Sequence, residues 1–186
     1  MEKAETKYYF DLEEGKSHFS KTLFELIDIN KKKLKKKEVL ILCIGTCLLT
    51  GDSLGPLVGR LLESELTCFK LMGTIDAPVH ALNLEHYKEI IQKEYKDYLV
   101  IAIDAALGCQ ESIGSVSLFE GSIFPGKGVG KELGDVGNIS IIGIISEYTG
   151  DPIYDLQGVG TSQISKFAEW ISDGISKTEK TFLKAL

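Results

Sequence analysis

The sequence predicts an α/β fold, a three-layer α/β/α sandwich around a mostly parallel sheet. Three strand-length runs, 39–44 (VLILCI), 98–103 (YLVIAI) and 139–145 (ISIIGII), are apolar almost throughout, the pattern of strands covered on both faces. Segments with helical apolar spacing alternate with these runs, and neither an internal repeat nor a linker-like stretch interrupts them, which is the order of a parallel sheet sandwiched by helices. With 186 residues, 44% hydrophobic and 26% charged, the chain suits one globular domain that buries about 70% of its unfolded surface.

Residues 1–16 lack periodicity and are expected to be a flexible N-terminal arm before a single domain over 17–186. From Ser17, a plausible N-cap, the residues Phe19, Leu23, Leu26 and Ile27 form one stripe of a helix that should pack on the sheet. The lysines of 31–37, interrupted only by Leu34, complement the negative end of that helix; docking an anionic partner is the alternative reading of the run. The first buried strand, 39–44, meets Gly45, a short polar loop carrying Asp52, and a helix starting beside Pro56.

A short strand is expected at 69–73, then the loop TIDAPVHALN with Pro78 and His80, and a helix over 84–95. The second buried strand, 98–103, ends in Asp104. Residues 115–120 alternate in part and suit a strand nearer an edge. They lead into GSIFPGKGVGKELGDVG, which holds six of the 19 glycines and so allows close backbone approach to a ligand or another chain. After the third strand, EYTGDPIYDLQGVG reads as irregular, and from Thr161 a long helix carries Ile164, Phe167, Ile171, Ile175 and Phe182 on one side. Gly174 should weaken that helix by about 1 kcal/mol relative to alanine and invite a kink.

Ligands of parallel α/β sheets collect outside the carboxyl ends of the strands, which is where Asp52 and Asp104 fall. Two carboxylates on one rim can polarise a water or share a divalent metal. Asp52, at a helix N-terminus, suits the ionised base, and a like charge beside Asp104 suits the protonated acid. The structural alternatives are an N-cap for Asp52 and a turn residue for Asp104. His80 is a candidate substrate or metal contact, since with the two aspartates it would complete an oxygen-and-nitrogen donor set; the alternative is an ordinary loop histidine. His18 and His86 have no such company.

The glycine loop, with Gly126, Gly128 and Gly130, is a candidate substrate loop. It lacks GxxxxGK[ST] and precedes a strand, so a nucleotide site is not expected. Cys47 and Cys109 flank the aspartates in sequence as conceivable nucleophiles, yet no histidine lies near them, and the four cysteines show no CxxC or zinc-knuckle spacing. Reduced thiols are expected.

The motifs CIGTCLLTGDSLGPLVG, GTIDAPVHALNL, AIDAALG and FPGKGVGKELGDVGNISIIGI occur in order between about 39 and 145. Together they resemble the YyaC-type family of sporulation proteins. More distantly, GDSLGP, IDAALG and PGKGVG resemble counterparts in the germination protease of bacterial spores, which degrades small acid-soluble spore proteins, and LLTGDSLG is similar to a motif of hydrogenase maturation endopeptidases. The resemblance implies a phosphorylase/hydrolase-like α/β/α sandwich and peptide hydrolysis by Asp52 and Asp104 as the acidic pair. It also implies a location in the forespore or spore core and small acid-soluble spore proteins as candidate substrates. Hydrogenase maturation enzymes bind nickel through carboxylates and a downstream histidine, and here no histidine follows His86. The expected activity is therefore a sporulation-associated endopeptidase without a required cofactor; a metal-dependent hydrolase or amidase, or a non-catalytic binding protein, are the alternatives.

The net charge of -6 gives no reason to expect nucleic acid as a partner. No signal-peptide pattern opens the chain and no apolar run approaches membrane-spanning length, so a cytoplasmic location is expected. Apolar residues beside the glycine loop are compatible with a homo-oligomer.

Overall fold

The computed structural model describes residues 6–13, 15–125 and 134–185. At its centre lies a six-stranded sheet in the order β1 (Lys7–Asp11), β5 (Ser115–Glu120), β6 (Ile139–Glu147), β4 (Tyr98–Gly108), β2 (Glu38–Cys43) and β3 (Lys70–Met72). Strands β6, β4, β2 and β3 are parallel, while β5 runs antiparallel to both β1 and β6.

Side-chain alternation sorts the strands onto two faces. Val39, Ile41 and Cys43 of β2 and Leu99, Ile101 and Ile103 of β4 pack with buried residues of α1 (Lys16–Leu34), α2 (Leu54–Leu62) and α5 (Thr161–Lys184), Phe19, Val58 and Phe167 among them. Leu40, Leu42, Val100 and Ala102 face the other way, against Leu84, Tyr87 and Ile91 of α3 (Leu84–Glu94). Helices therefore cover both faces of a mostly parallel sheet, the expected three-layer sandwich.

The first departure from expectation lies in the N-terminal stretch. Residues 7–11, read as part of a flexible arm, form the edge strand β1, paired from Lys7 with Phe119 to Asp11 with Ser115. Only Phe10 of β1 is buried, so the apolar signal is a single residue. The chain then turns directly into α1, whose N-cap is Gly15, not Ser17. Glycine is required there by space, because a Cβ would stand 2.8 Å from the Asp11 carbonyl oxygen. The helix ends at Lys35 in the left-handed conformation, with Lys31, Lys32 and Lys33 in its last turn, as the dipole argument expects.

Strand β4 is the second departure: it continues five residues beyond Ile103, to Gly108. Pairing with β2 stops at Cys43 and Ile103, but pairing with β6 goes on to Gly108 and Glu147. Asp104 is thus the first residue of β4 past its β2 partner, still inside a strand. Within EYTGDPIYDLQGVG a short helix forms, α4 (Pro152–Gln157). Its N-cap Asp151 accepts from the N–H groups of Ile153 and Tyr154, and Pro152 opens the first turn, a sequence signal that Asp-Pro already carried. Gly174 marks no break in α5; the space its side chain would fill is taken by the Phe19 ring, 2.5 Å from a would-be Cβ.

Gly126, Gly128 and Gly130 lie outside the described residues. The base of their loop is described: Ile123 and Val136 exchange backbone hydrogen bonds at 3.0 Å in each direction.

Candidate active site at the carboxyl ends of the parallel strands

Asp52 is placed by a tight fold-back at the end of β2. Gly45, at φ +141°, turns the chain, and a Cβ there would come within 2.0 Å of the Asp52 carbonyl oxygen. The Thr46 N–H donates to that carbonyl at 3.1 Å and to the Asp52 Oδ2 at 2.9 Å. Asp52 sits in a single 3-10 turn, Gly51–Ser53, leading into α2. Its carboxylate is engaged with the strand end rather than with the first N–H groups of α2, whose N-cap is Ser53 without a side-chain cap bond. An N-cap role is thereby replaced by a link between the end of β2 and the start of α2.

Helix α2 reaches this position because it carries glycine where the strands come closest. A Cβ on Gly55 would lie 2.0 Å from the Ile44 carbonyl oxygen and one on Gly59 would lie 2.2 Å from that of Gly73. Gly73 itself adopts φ +88°, and its Cβ would meet the Cys43 carbonyl oxygen at 1.8 Å. Gly55 and Gly59 are one helical turn apart, so their shared spacing in GPLVG was the signal of a helix face that approaches backbone.

Asp104 continues the row of Val100 and Ala102 along β4, on the face shared with α3. Its Oδ1 accepts the Ala105 N–H at 2.8 Å. Burial, and then the charge of Asp52, push its carboxyl well above the usual carboxylate range, against a smaller opposing effect from the Ala105 N–H. Asp52 is also raised, by burial, while the Thr46 N–H and His80 act to lower it. Desolvation therefore outweighs the helix-terminus effect at Asp52, where the sequence alone suggested a readily ionised group. Burial thus disfavours the ionised form of both carboxyls, and the charge of Asp52 adds to that at Asp104.

His80 follows Val79, which bridges to Ile44 at the end of β2. The His80 N–H donates to Asn83 Oδ1 at 2.8 Å, and the ring Nδ1 accepts the Leu82 N–H at 3.2 Å. Asn83 in turn donates to the Pro78 carbonyl at 2.9 Å, so an Asn three residues downstream fixes the loop, a role that sequence reasoning missed. With Nδ1 engaged, Nε2 is the nitrogen left to act. His80 and Asp104 each interact electrostatically with Asp52, which brings the three sequence-predicted residues to one rim.

Among the described residues no group of three or more His, Cys, Asp or Glu side chains is arranged to hold an ion. Cys47 is exposed beside Asp52, and burial of its thiol and the Asp52 charge push its pKa up, which disfavours the thiolate a nucleophile needs. Cys109 lies after β4, its thiol 3.4 Å from Ser112 Oγ. No described helix is long and apolar enough to cross a membrane.

Residues 8–174 match the family described as "Protein of unknown function (DUF1256)". The chain belongs to that family. It is 37% identical over 163 residues to "Uncharacterized protein YyaC" of Bacillus subtilis (strain 168), a match covering 87% of this chain and 80% of that protein, in keeping with the motif resemblance. Among solved structures, the NiFe hydrogenase maturation protease HycI from Thermococcus kodakarensis KOD1 is similar, with a TM-score of 0.53 at 16% identity over 86% of this chain and 99% of that one. This DUF1256 chain thus shares the fold of that structure at low sequence identity.

Proposed function

We propose that the protein is an endopeptidase that hydrolyses peptide bonds with Asp52 and Asp104, in the manner of the germination protease, acting in the cytoplasm of the forespore on small acid-soluble spore proteins. The observation that supports this reading is the placement of two interacting carboxyls at one rim: Asp52, whose Oδ2 accepts the Thr46 N–H at 2.9 Å and which interacts with His80, and Asp104, just past the β2-paired part of β4, both raised by burial and Asp104 also by the Asp52 charge. Two neighbouring carboxyls, one ionised and one neutral, can supply a base and an acid at the same pH. The fold likeness to a maturation protease supports a hydrolase without specifying the reaction.

In this reading the Asp52 carboxylate takes a proton from a water whose oxygen attacks the peptide carbonyl carbon. A carbon–oxygen bond forms, and the tetrahedral adduct collapses with cleavage of the carbon–nitrogen bond. Asp104 delivers its proton to the departing nitrogen, leaving an amine and a carboxylic acid. Asp52 ends protonated and Asp104 ionised, and exchange with solvent restores the pair. No step uses a metal.

The test is incubation of the purified protein with small acid-soluble spore proteins between pH 4 and 8, with and without chelator, beside Asp52→Asn and Asp104→Asn. Cleavage that survives the chelator and falls about 10²–10⁴-fold in each variant, the usual worth of a positioned acid or base, is the expected outcome. Undiminished cleavage in Asp52→Asn overturns the mechanism. Absence of cleavage by the native protein across this range overturns the proposed substrate.

A further inference from the structure

We infer that His80 is a catalytic residue of the hydrolysis proposed above, a neutral imidazole whose Nε2–H donates a hydrogen bond to the scissile carbonyl oxygen as that oxygen becomes negative. The reaction assigned to it rests on the peptidase reading, whereas the state of the ring follows from hydrogen bonding within residues 78–84.

A neutral imidazole carries one proton on its two nitrogens. The Leu82 N–H donates to His80 Nδ1 at 3.2 Å, so Nδ1 holds the lone pair and the ring proton sits on Nε2. A ring protonated on both nitrogens could not accept that bond. The same bond separates the roles open to the side chain. A general base or a metal ligand acting at Nε2 needs the lone pair there, with the proton on Nδ1 and an acceptor facing it. Here a donor faces Nδ1, which leaves Nε2 as the donor of the ring.

The backbone sets where this donor stands. The Asn83 side chain accepts the His80 N–H at 2.8 Å and donates to the Pro78 carbonyl at 2.9 Å, and the His80 carbonyl accepts the N–H groups of Asn83 and Leu84 at 3.0 and 2.9 Å. Val79, the residue ahead, is fully buried, and its carbonyl accepts the Gly45 N–H at 2.8 Å. The next N–H along the chain, that of Thr46, donates to Asp52 Oδ2 at 2.9 Å. The His80 segment and the Asp52 carboxylate are therefore tied to consecutive residues at the end of β2. The half-buried ring interacts with Asp52 electrostatically. Among the described residues, however, the Asp52 carboxylate bonds to Thr46, that of Asp104 to Ala105 and the ring to Leu82, so Nε2 is not spent on either carboxyl.

The acidic pair moves protons but leaves the carbonyl oxygen of the tetrahedral adduct without a partner. As the water oxygen bonds to the carbonyl carbon, the electron pair of the carbonyl double bond passes to that oxygen. The Nε2–H holds it by a hydrogen bond and keeps its own proton. When the carbon–nitrogen bond breaks, the double bond re-forms and the hydrogen bond slackens, so His80 ends in the state in which it began. A neutral imidazole held in one tautomer is suited to polarising a carbonyl in this way.

Proton–nitrogen correlation NMR of the nitrogen-15-labelled full chain at pH 8 reads the tautomer directly. A proton on Nε2 is expected; a proton on Nδ1 overturns the inference whether or not the protein cuts anything. In cleavage of small acid-soluble spore proteins, His80→Ala should lower kcat about 10²–10³-fold, the usual worth of one oxyanion donor, with KM and thermal midpoint little changed. His80→Gln, whose amide N–H can stand where Nε2–H does, should recover most of that loss. His80→Asn, whose side-chain oxygen can take the Leu82 N–H in place of Nδ1, should not. Rescue by asparagine and not by glutamine would reduce His80 to fastening its loop and overturn the inference, as would native kcat in His80→Ala. A chain with its proton on Nε2 that cuts nothing removes the peptidase reading and the catalytic role with it, whereas cleavage by a chain with its proton on Nδ1 removes the inference alone.

Discussion

Replacing Asp104 by asparagine should lower turnover about 10²–10⁴-fold and at the same time make the protein more stable at neutral pH. An aspartate in the unfolded chain loses its proton near pH ~3.9. In the folded chain, burial and the charge of Asp52 hold the Asp104 carboxyl well above that value. Between the two pKa values the native state keeps a proton that the unfolded state has released, so native stability falls as pH rises, by up to about 1.4 kcal/mol per pH unit for one group. The contribution of neutral Asp104 is complete below the unfolded pKa and is lost as pH rises through the folded one. Asparagine has nearly the shape of the neutral acid and keeps an oxygen for the Ala105 N–H, which now reaches Asp104 at 2.8 Å, but it cannot ionise. Urea unfolding of both proteins at several pH values from 4 to 8 measures the difference. The two should be alike at the acid end and diverge upward through the window, the variant being the more stable. Asp52→Asn should narrow that window, since it removes the second of the two influences that raise Asp104. Parallel pH profiles, or a variant weaker than the native protein at pH 7, would mean that Asp104 is ionised in the fold, and the acid role assigned to it would fall with that result.

Three further outcomes follow from packing and hydrogen bonding. Gly174→Ala gains about 1 kcal/mol of helix propensity but sets a Cβ 2.5 and 2.6 Å from two carbons of the fully buried Phe19 ring, which itself contacts Trp170 at 4.8 Å between centroids; overpacking of about 1–3 kcal/mol should win, and a raised urea midpoint would refute the contact. Gly55→Ala forces a Cβ to within 2.0 Å of the Ile44 carbonyl oxygen, a backbone atom that cannot swing aside, so a loss of about 3 kcal/mol and displacement of Asp52 from Thr46 are expected, checked by denaturation and by residual peptidase activity. Glu179 is raised by burial but more than compensated by the N–H groups of Phe69, Cys68 and Thr67, so that its carboxyl lies below the usual range; its stabilisation is present above the unfolded pKa and lost as pH falls through the folded one. Glu179→Gln should therefore cost about 1–3 kcal/mol near neutrality and progressively less in acid, a dependence opposite in sign to that of Asp104→Asn.

What the sequence made legible was whatever depends on runs and on spacing. Strands β2, β4 and β6 stood out because both of their faces are buried, and the stripe of α5 because Ile164, Phe167, Ile171 and Ile175 are all buried. Strand β1 was not visible, since an edge strand with one buried residue needs no pattern; its partner β5 supplies the hydrogen bonds. The end of β4 was misplaced for a related reason. Asp104 followed by two alanines reads as a turn, and only pairing with β6 keeps those residues in a strand. Of the candidate residues read from the sequence, Asp52 lies in the turn after β2, His80 just past the Val79–Ile44 bridge, and Asp104 inside β4, at the first residue beyond its pairing with β2. The partners that hold them were not legible: Thr46, Asn83 and the glycines of α2 act through backbone contacts, which leave little trace in residue type.

The acidity of the rim and the packing of α2 are one property seen twice. Asp104 is raised chiefly because water is kept from it, and Asp52 likewise. The backbone around them closes because α2 reaches the carbonyls of Ile44 and Gly73 with no side chain between. A larger residue at 55 or 59 would lift the helix and admit water beside the carboxyls. Both would then drift toward ordinary values, and two ionised carboxylates would repel each other where a neutral and an ionised one do not. Close approach through glycine is thus what lets two like groups differ, and it costs native stability at neutral pH because the carboxyls are ionised in the unfolded chain. The carboxylate of Glu179 offsets part of that cost, fastening residues 67–69, just ahead of β3, to α5 through N–H bonds of 2.7–3.1 Å. The strand it steadies leads to Gly73, whose backbone lies against the Cys43 carbonyl at the end of β2 and against Gly59 of α2, so Glu179 braces the strand on which α2 closes.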